Sequence, residues 1–208
     1  MHYQYIALKL GNIMKPHIIG LQSAVHKITR IHFAFIFLYM VTLVAFDSWN
    51  LIAHEAVVWR WQAASSLLIV NAICWYVART TFQGKTPYKL AVMLIVVADI
   101  LFISLNVYWQ RGMAGKAVAL FAVPILISAI LHSRRAILAT ATLASAAYSY
   151  AAVRYFHLNY GEGYKVELYG EIALYCGMFY IFALLLMEII KPHASAPSLK
   201  AKSGRGNR

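Results

Sequence analysis

Residues 88–108 read YKLAVMLIVVADILFISLNVY, with Lys89 at one edge and Asp99 near the centre as the only charged side chains. A helix rises about 1.5 Å per residue, so this run reaches about 31 Å, the thickness of a bilayer's hydrocarbon core. Apolar runs of the same kind lie at 31–46, 57–78, 117–131, 136–156 and 168–190. The fold class they imply is all-α, a polytopic membrane bundle with six transmembrane helices. The 117–131 run is the shortest and carries Pro124 at its middle. The junction Ser133-Arg134-Arg135 joins it tightly to the next run. It reads either as one arm of a spanning hairpin or as half of a re-entrant pair, and the charge pattern favours spanning.

Lys and Arg collect on the cytoplasmic side of short membrane loops. With the N-terminus inside, fourteen of the 19 Lys and Arg fall on the cytoplasmic side, Arg134 and Arg135 among them. Arg60, Arg111, Lys116, Arg154 and Lys165 fall outside, together with five of the seven acids. Trp49, Trp59, Trp61, Tyr108, Trp109 and Tyr155 gather at the outer ends, as an interfacial aromatic belt requires. The expected location is a bacterial cytoplasmic (inner) membrane, crossed several times, with both termini cytoplasmic.

Composition agrees with that expectation. Of 208 residues, 62% are hydrophobic and 12% charged, and the mean hydropathy is +0.63. A soluble domain carries about twice that share of charge. The net charge of +12 would suit a nucleic-acid partner, but the basic residues form short clusters between apolar runs rather than one patch. No nucleic-acid binding is expected, and the bilayer itself is the partner the composition demands.

Three regions are expected. Residues 1–30 form a basic N-terminal segment, in which Ile18, Leu21, Val25 and Ile28 recur at helical spacing, so that an interfacial amphipathic helix fits. Residues 31–191 form the transmembrane domain, and 192–208 a disordered basic cytoplasmic tail rich in Ser, Ala, Lys and Gly. No small-x-small cleavage site follows the first apolar run, so no cleaved signal peptide is expected.

Reactive constellations are scarce. Cys74 and Cys176 each stand alone in an apolar run, without the spacing of a zinc site or disulfide framework. There is no HExxH, GxSxG, paired Glu motif or Gly-Lys-Ser/Thr loop. No enzyme, catalytic residue, cofactor or metal is therefore expected. His32, His54, His132 and His157 lie near span edges, where two at one depth could hold a haem, although interfacial histidines without ligands are far commoner. Asp99 is the sharpest candidate. An ionisable group at mid-bilayer costs about 2.5–3.5 kcal/mol on insertion scales and marks a functional position by default. It is expected to be neutral or paired, with Asn71, Ser145 or Ser149 as polar neighbours at similar depth. The plainer alternative is a hydrogen-bonded lock between helices. The 136–156 run, with Ala139, Ala141, Ala144, Ala146 and Ala147, allows close helix approach and is expected at the centre.

Residues 97–156 carry a further pattern. An apolar helix containing Asp99 leads through a short loop, Gly112 to Lys116, into a span with Pro124. The Ser133-Arg134-Arg135 turn then opens a small-residue helix reaching Ala147-Tyr148. This resembles the six-span N-terminal sensor region of bacterial histidine kinases, in which a tight Arg-Arg turn joins the fourth and fifth helices. The resemblance implies a signal-input module and homodimerisation. In that family the last span continues into a stalk and kinase domains. Here 17 residues follow Lys191, whereas a domain takes at least about 50. The expectation is a sensor without its kinase, either acting on a separate signalling protein or the product of a truncated gene. A small transporter or channel using Asp99 is the alternative.

Overall fold

The fold is described from a computed structural model over residues 2–49, 54–82, 84–110, 116–160 and 166–190. Side chains are described over 20–49, 55–82, 84–110, 117–159 and 166–190. The helices are α1 (His2–Ser48), α2 (His54–Arg79), α3 (Thr86–Trp109), α4 (Ala122–Ser128), α5 (Arg134–Tyr160) and α6 (Val166–Ile189). No strand occurs among the described residues. Backbone groups in lipid must be paired within their own segment, which is why apolar runs of this length fold as helices. Five stretches are long and apolar enough to cross: Gly20–Ser48, Glu55–Arg79, Thr86–Trp109, Arg134–Asn159 and Val166–Ile189. The tail expected at 192–208 lies outside the described residues.

The fourth crossing is shorter in residues but not in reach. α4 is flanked by 3₁₀ turns at Lys116–Phe121 and Ala129–Leu131. A 3₁₀ turn rises about 2.0 Å per residue against about 1.5 Å in an α-helix, so this stretch extends about 28 Å. The tightening also explains Pro124. It falls in the first turn of the α segment, where a missing N–H is tolerated.

Tyr108, at the end of α3, packs edge-on against Tyr155, near the end of α5, with ring centroids 5.8 Å apart. At the opposite end, Met93 and Val97 of α3 share a small cavity with Ala136 and Thr140 of α5. Thus α3 and α5 run side by side in one direction, and the chain joining them must return through the full thickness. The fourth segment makes that return, which is the spanning geometry and not the re-entrant one. Contacts place α6 antiparallel to α5, since Thr142 meets Tyr180 and Ser149 meets Cys176.

α1 continues without a break through residue 30, where the sequence reading places a boundary. Val25 is buried, Leu21 and Ile28 pack against the core, and Gln22 donates to the Ala78 carbonyl of α2 at 2.9 Å. The apolar stripe of the leader therefore faces α2, over at least residues 20–30. Gly20–Ser48 would extend about 43 Å, so α1 must tilt or project beyond a core of about 30 Å.

The α2–α3 connection is pinned by one side chain. Tyr88 is fully buried. Its hydroxyl donates to the Thr80 carbonyl at 2.8 Å and accepts from the Phe82 amide at 3.1 Å. Tyr88→Phe leaves both backbone groups without that partner. It should lower stability by about 1–3 kcal/mol, read as an earlier thermal unfolding midpoint in detergent with helicity unchanged.

Candidate functional site

Asp99 lies thirteen residues into α3 and is 3% exposed. Its neighbour is His32 of α1, whose Nε2 stands 2.8 Å from Asp99 Oδ1. The other ring nitrogen, Nδ1, lies 3.3 Å from Asn71 Oδ1 of α2, and Asn71 Nδ2 donates to the Thr29 carbonyl at 3.0 Å. Three helices are thus joined by one polar chain: Asp99, His32, Asn71 and the α1 backbone. Phe35 stacks on His32 at 5.9 Å between centroids, and Phe102 meets Phe35 edge-on. These rings wall the chain with apolar surface.

The carboxyl contact is close, yet a proton fixed on Nε2 does not point along it, and Asp99 Oδ2 meets no donor. Polar groups at this depth are costly unless they meet one another, and His32, Asp99 and Asn71 are one another's nearest polar partners. A buried polar group short of partners is a high-stakes arrangement: it stays stable only while its neighbours hold position.

The other candidates are placed elsewhere. Asn71 joins Asp99 through His32. Ser145 and Ser149 face α6: Ser149 Oγ donates to the Ser145 carbonyl at 2.8 Å and sits 3.6 Å from Cys176 Sγ, while Ser145 Oγ is buried without a partner. Ser133, Arg134 and Arg135 form the α4–α5 turn. His132 adopts the left-handed conformation there, at φ 49°. Ser133 Oγ lies 3.4 Å from the Ala136 amide as a long cap. Arg134 and Arg135 are exposed in the first turn of α5. Cations at a helix N-terminus oppose its dipole by about 0.3–1 kcal/mol each. Their place is therefore better explained by charge at the membrane surface than by helix stability.

His32 as the partner of Asp99 was the residue that sequence reasoning missed. Starting the first span at residue 31 put His32 at the membrane edge. The span Gly20–Ser48 puts it twelve residues in, about 18 Å along the helix. A second buried pair was also missed: Tyr39 Oη donates to Asn106 Oδ1 at 2.6 Å, and Asn106 Nδ2 donates to the Phe102 carbonyl. Both pairs join α1 to α3. Among the described residues, no three His, Cys, Asp or Glu side chains stand together as a metal set.

Fold and site define a class: a multi-pass membrane helix bundle whose buried Asp99, His32 and Asn71 tie its first three helices together. Within that class the chain belongs to the PilS-like transmembrane domain family, a six-span domain whose family model matches residues 21–198. That domain is a histidine kinase sensor region, in agreement with the resemblance carried by residues 97–156. No curated protein and no solved structure matches the chain.

Proposed function

We propose that this protein is a signal-input module of a bacterial inner membrane. It carries no catalysis of its own, and a change in the membrane or an apolar ligand alters the packing of α1, α2 and α3. The altered packing is read by a separate signalling protein, with both termini on the cytoplasmic side. Family membership supports the class. The observation that carries the mechanism is the sealed polar chain, with Asp99 3%, His32 4% and Asn71 0% exposed.

A transporter would need Asp99 to face a polar cavity open to each side in turn. Three cavities that indent the described bundle are lined by other residues. A sensor needs the opposite: a cluster that stays dry and whose hydrogen bonds couple helix positions. Moving α1 against α3 by a fraction of a turn separates His32 from Asp99, so the pair is sensitive to that motion. The test is proton flux into liposomes containing the purified full chain and a trapped pH-sensitive dye. The module reading expects leak indistinguishable from protein-free liposomes, for wild type and Asp99→Asn alike. Flux in wild type that Asp99→Asn abolishes would overturn it and put the transporter reading first.

A further inference from the structure

An apolar slot of about 650 Å³ opens between α3 and α5, with Trp59 of α2 at its edge. Leu101, Leu143, Ala146 and Ala147 line it, and Arg154 stands at its mouth. A second cavity of about 440 Å³ adjoins it, sharing Tyr150 and Arg154 and adding His157. From Leu143 to Arg154 is eleven residues along α5, about 16 Å of helix. That is half the thickness of the hydrocarbon core, or one leaflet. The slot thus runs from the bilayer middle to the interface, and the basic pocket begins where headgroups begin.

The Arg154 guanidinium donates to the Tyr150 hydroxyl and lies over the same ring. Arg carries five N–H donors. No ion pair to a described carboxylate is seen at Arg154. The slot is lined mostly by apolar side chains over about one leaflet's depth, which suits an acyl chain. A floor of alanines keeps it open, since any larger side chain there would fill it.

We propose that this is a binding site for an anionic phospholipid, with an acyl chain in the α3–α5 slot and its phosphate at Arg154 beside His157. The cation at the end of an apolar slot selects for charge at one end of a long apolar ligand. The site stands on the slot's geometry and not on the signalling reading, so either can fail alone.

The experiment uses the full chain in neutral detergent micelles. Brominated-chain phosphatidylglycerol is titrated, with brominated phosphatidylcholine in parallel. Bromine quenches nearby tryptophan, and Trp59 and Trp109 line the slot. Saturable quenching by phosphatidylglycerol is expected at lower lipid than by phosphatidylcholine. Arg154→Gln should weaken the phosphatidylglycerol curve about five-fold, the worth of one interfacial cation. Ala147→Leu should reduce quenching by both lipids. Arg154 is exposed, so Arg154→Gln keeps the test decisive if Ala147→Leu fails to fold. Millimolar inorganic phosphate should not displace the lipid. Equal, non-saturating quenching by both lipids, unchanged in Arg154→Gln, would show boundary lipid and overturn the proposal. Displacement by phosphate alone would show a simple anion site and overturn it too.

Discussion

Asp99→Ala should destabilise the bundle by about 3–5 kcal/mol, the cost of removing one member of a buried, mutually dependent pair. The loss is not the contact alone. Without the carboxyl, His32 Nε2 has no partner in a wall of aromatic rings, while Nδ1 stays tied to Asn71. His32→Ala should cost a similar amount, because it strands Asp99 instead. The double substitution should cost clearly less than the two single losses added, since the second removes a group the first had already orphaned. Asp99→Asn is the informative contrast. An amide of nearly the same shape can donate to Nε2, so a hydrogen-bonded lock should lose only about 1 kcal/mol. If Asn proves as damaging as Ala, the carboxyl itself is essential, and the pair works through charge rather than hydrogen bonding. Unfolding midpoints in detergent, measured with expression matched, check all four variants.

Phe121→Ala should be the second severe lesion, at about 3–5 kcal/mol. Phe121 ends the first 3₁₀ turn of the fourth segment and is fully buried. Its ring meets Phe179 of α6 at 5.3 Å and Tyr148 of α5 at 6.2 Å between centroids. Phe179 and Tyr148 also meet each other, so one ring holds three segments in register. In lipid no hydrophobic drive brings helices together, and packing of this kind is what associates them. The cavity left by Ala loosens α4 from both α5 and α6. The expected readout is an early unfolding step, together with faster proteolysis in the α5–α6 connection. Phe121→Leu, which refills part of the space, should recover over half of the loss.

Most of the architecture was legible because lipid imposes a crude and demanding filter. Residues 88–108 admit almost no structure other than a spanning helix, and Arg134-Arg135 fixes where two spans must turn. The fourth segment was ambiguous because its residue count, judged at α-helical rise, falls short. The 3₁₀ turns that lengthen it leave no clear mark in the sequence. The start of α1 was hidden for a related reason. Lys27 and Arg30 lower the hydropathy of a stretch that the helix nevertheless runs straight through. That displaced His32 from mid-span to the edge and concealed it as the partner of Asp99. Asn71 could be proposed by depth alone. Ser145 and Ser149 have the same depth, but they lie on the side of α5 that meets α6, a rotation that the small-residue pattern of α5 does not specify. Alanines at almost every turn leave the facing of that helix to its neighbours.

Six crossings underlie both the buried polar chain and the one-leaflet slot, so sidedness of the α4–α5 turn is the most direct test. Ser133→Cys and Asn159→Cys would be made separately, with Cys74 and Cys176 replaced by Ala, and labelled in whole cells with a membrane-impermeant thiol reagent. The predicted result is labelling of Asn159→Cys in intact cells and of Ser133→Cys only after permeabilisation. Labelling of both Ser133→Cys and Asn159→Cys from outside intact cells would contradict the six-span bundle.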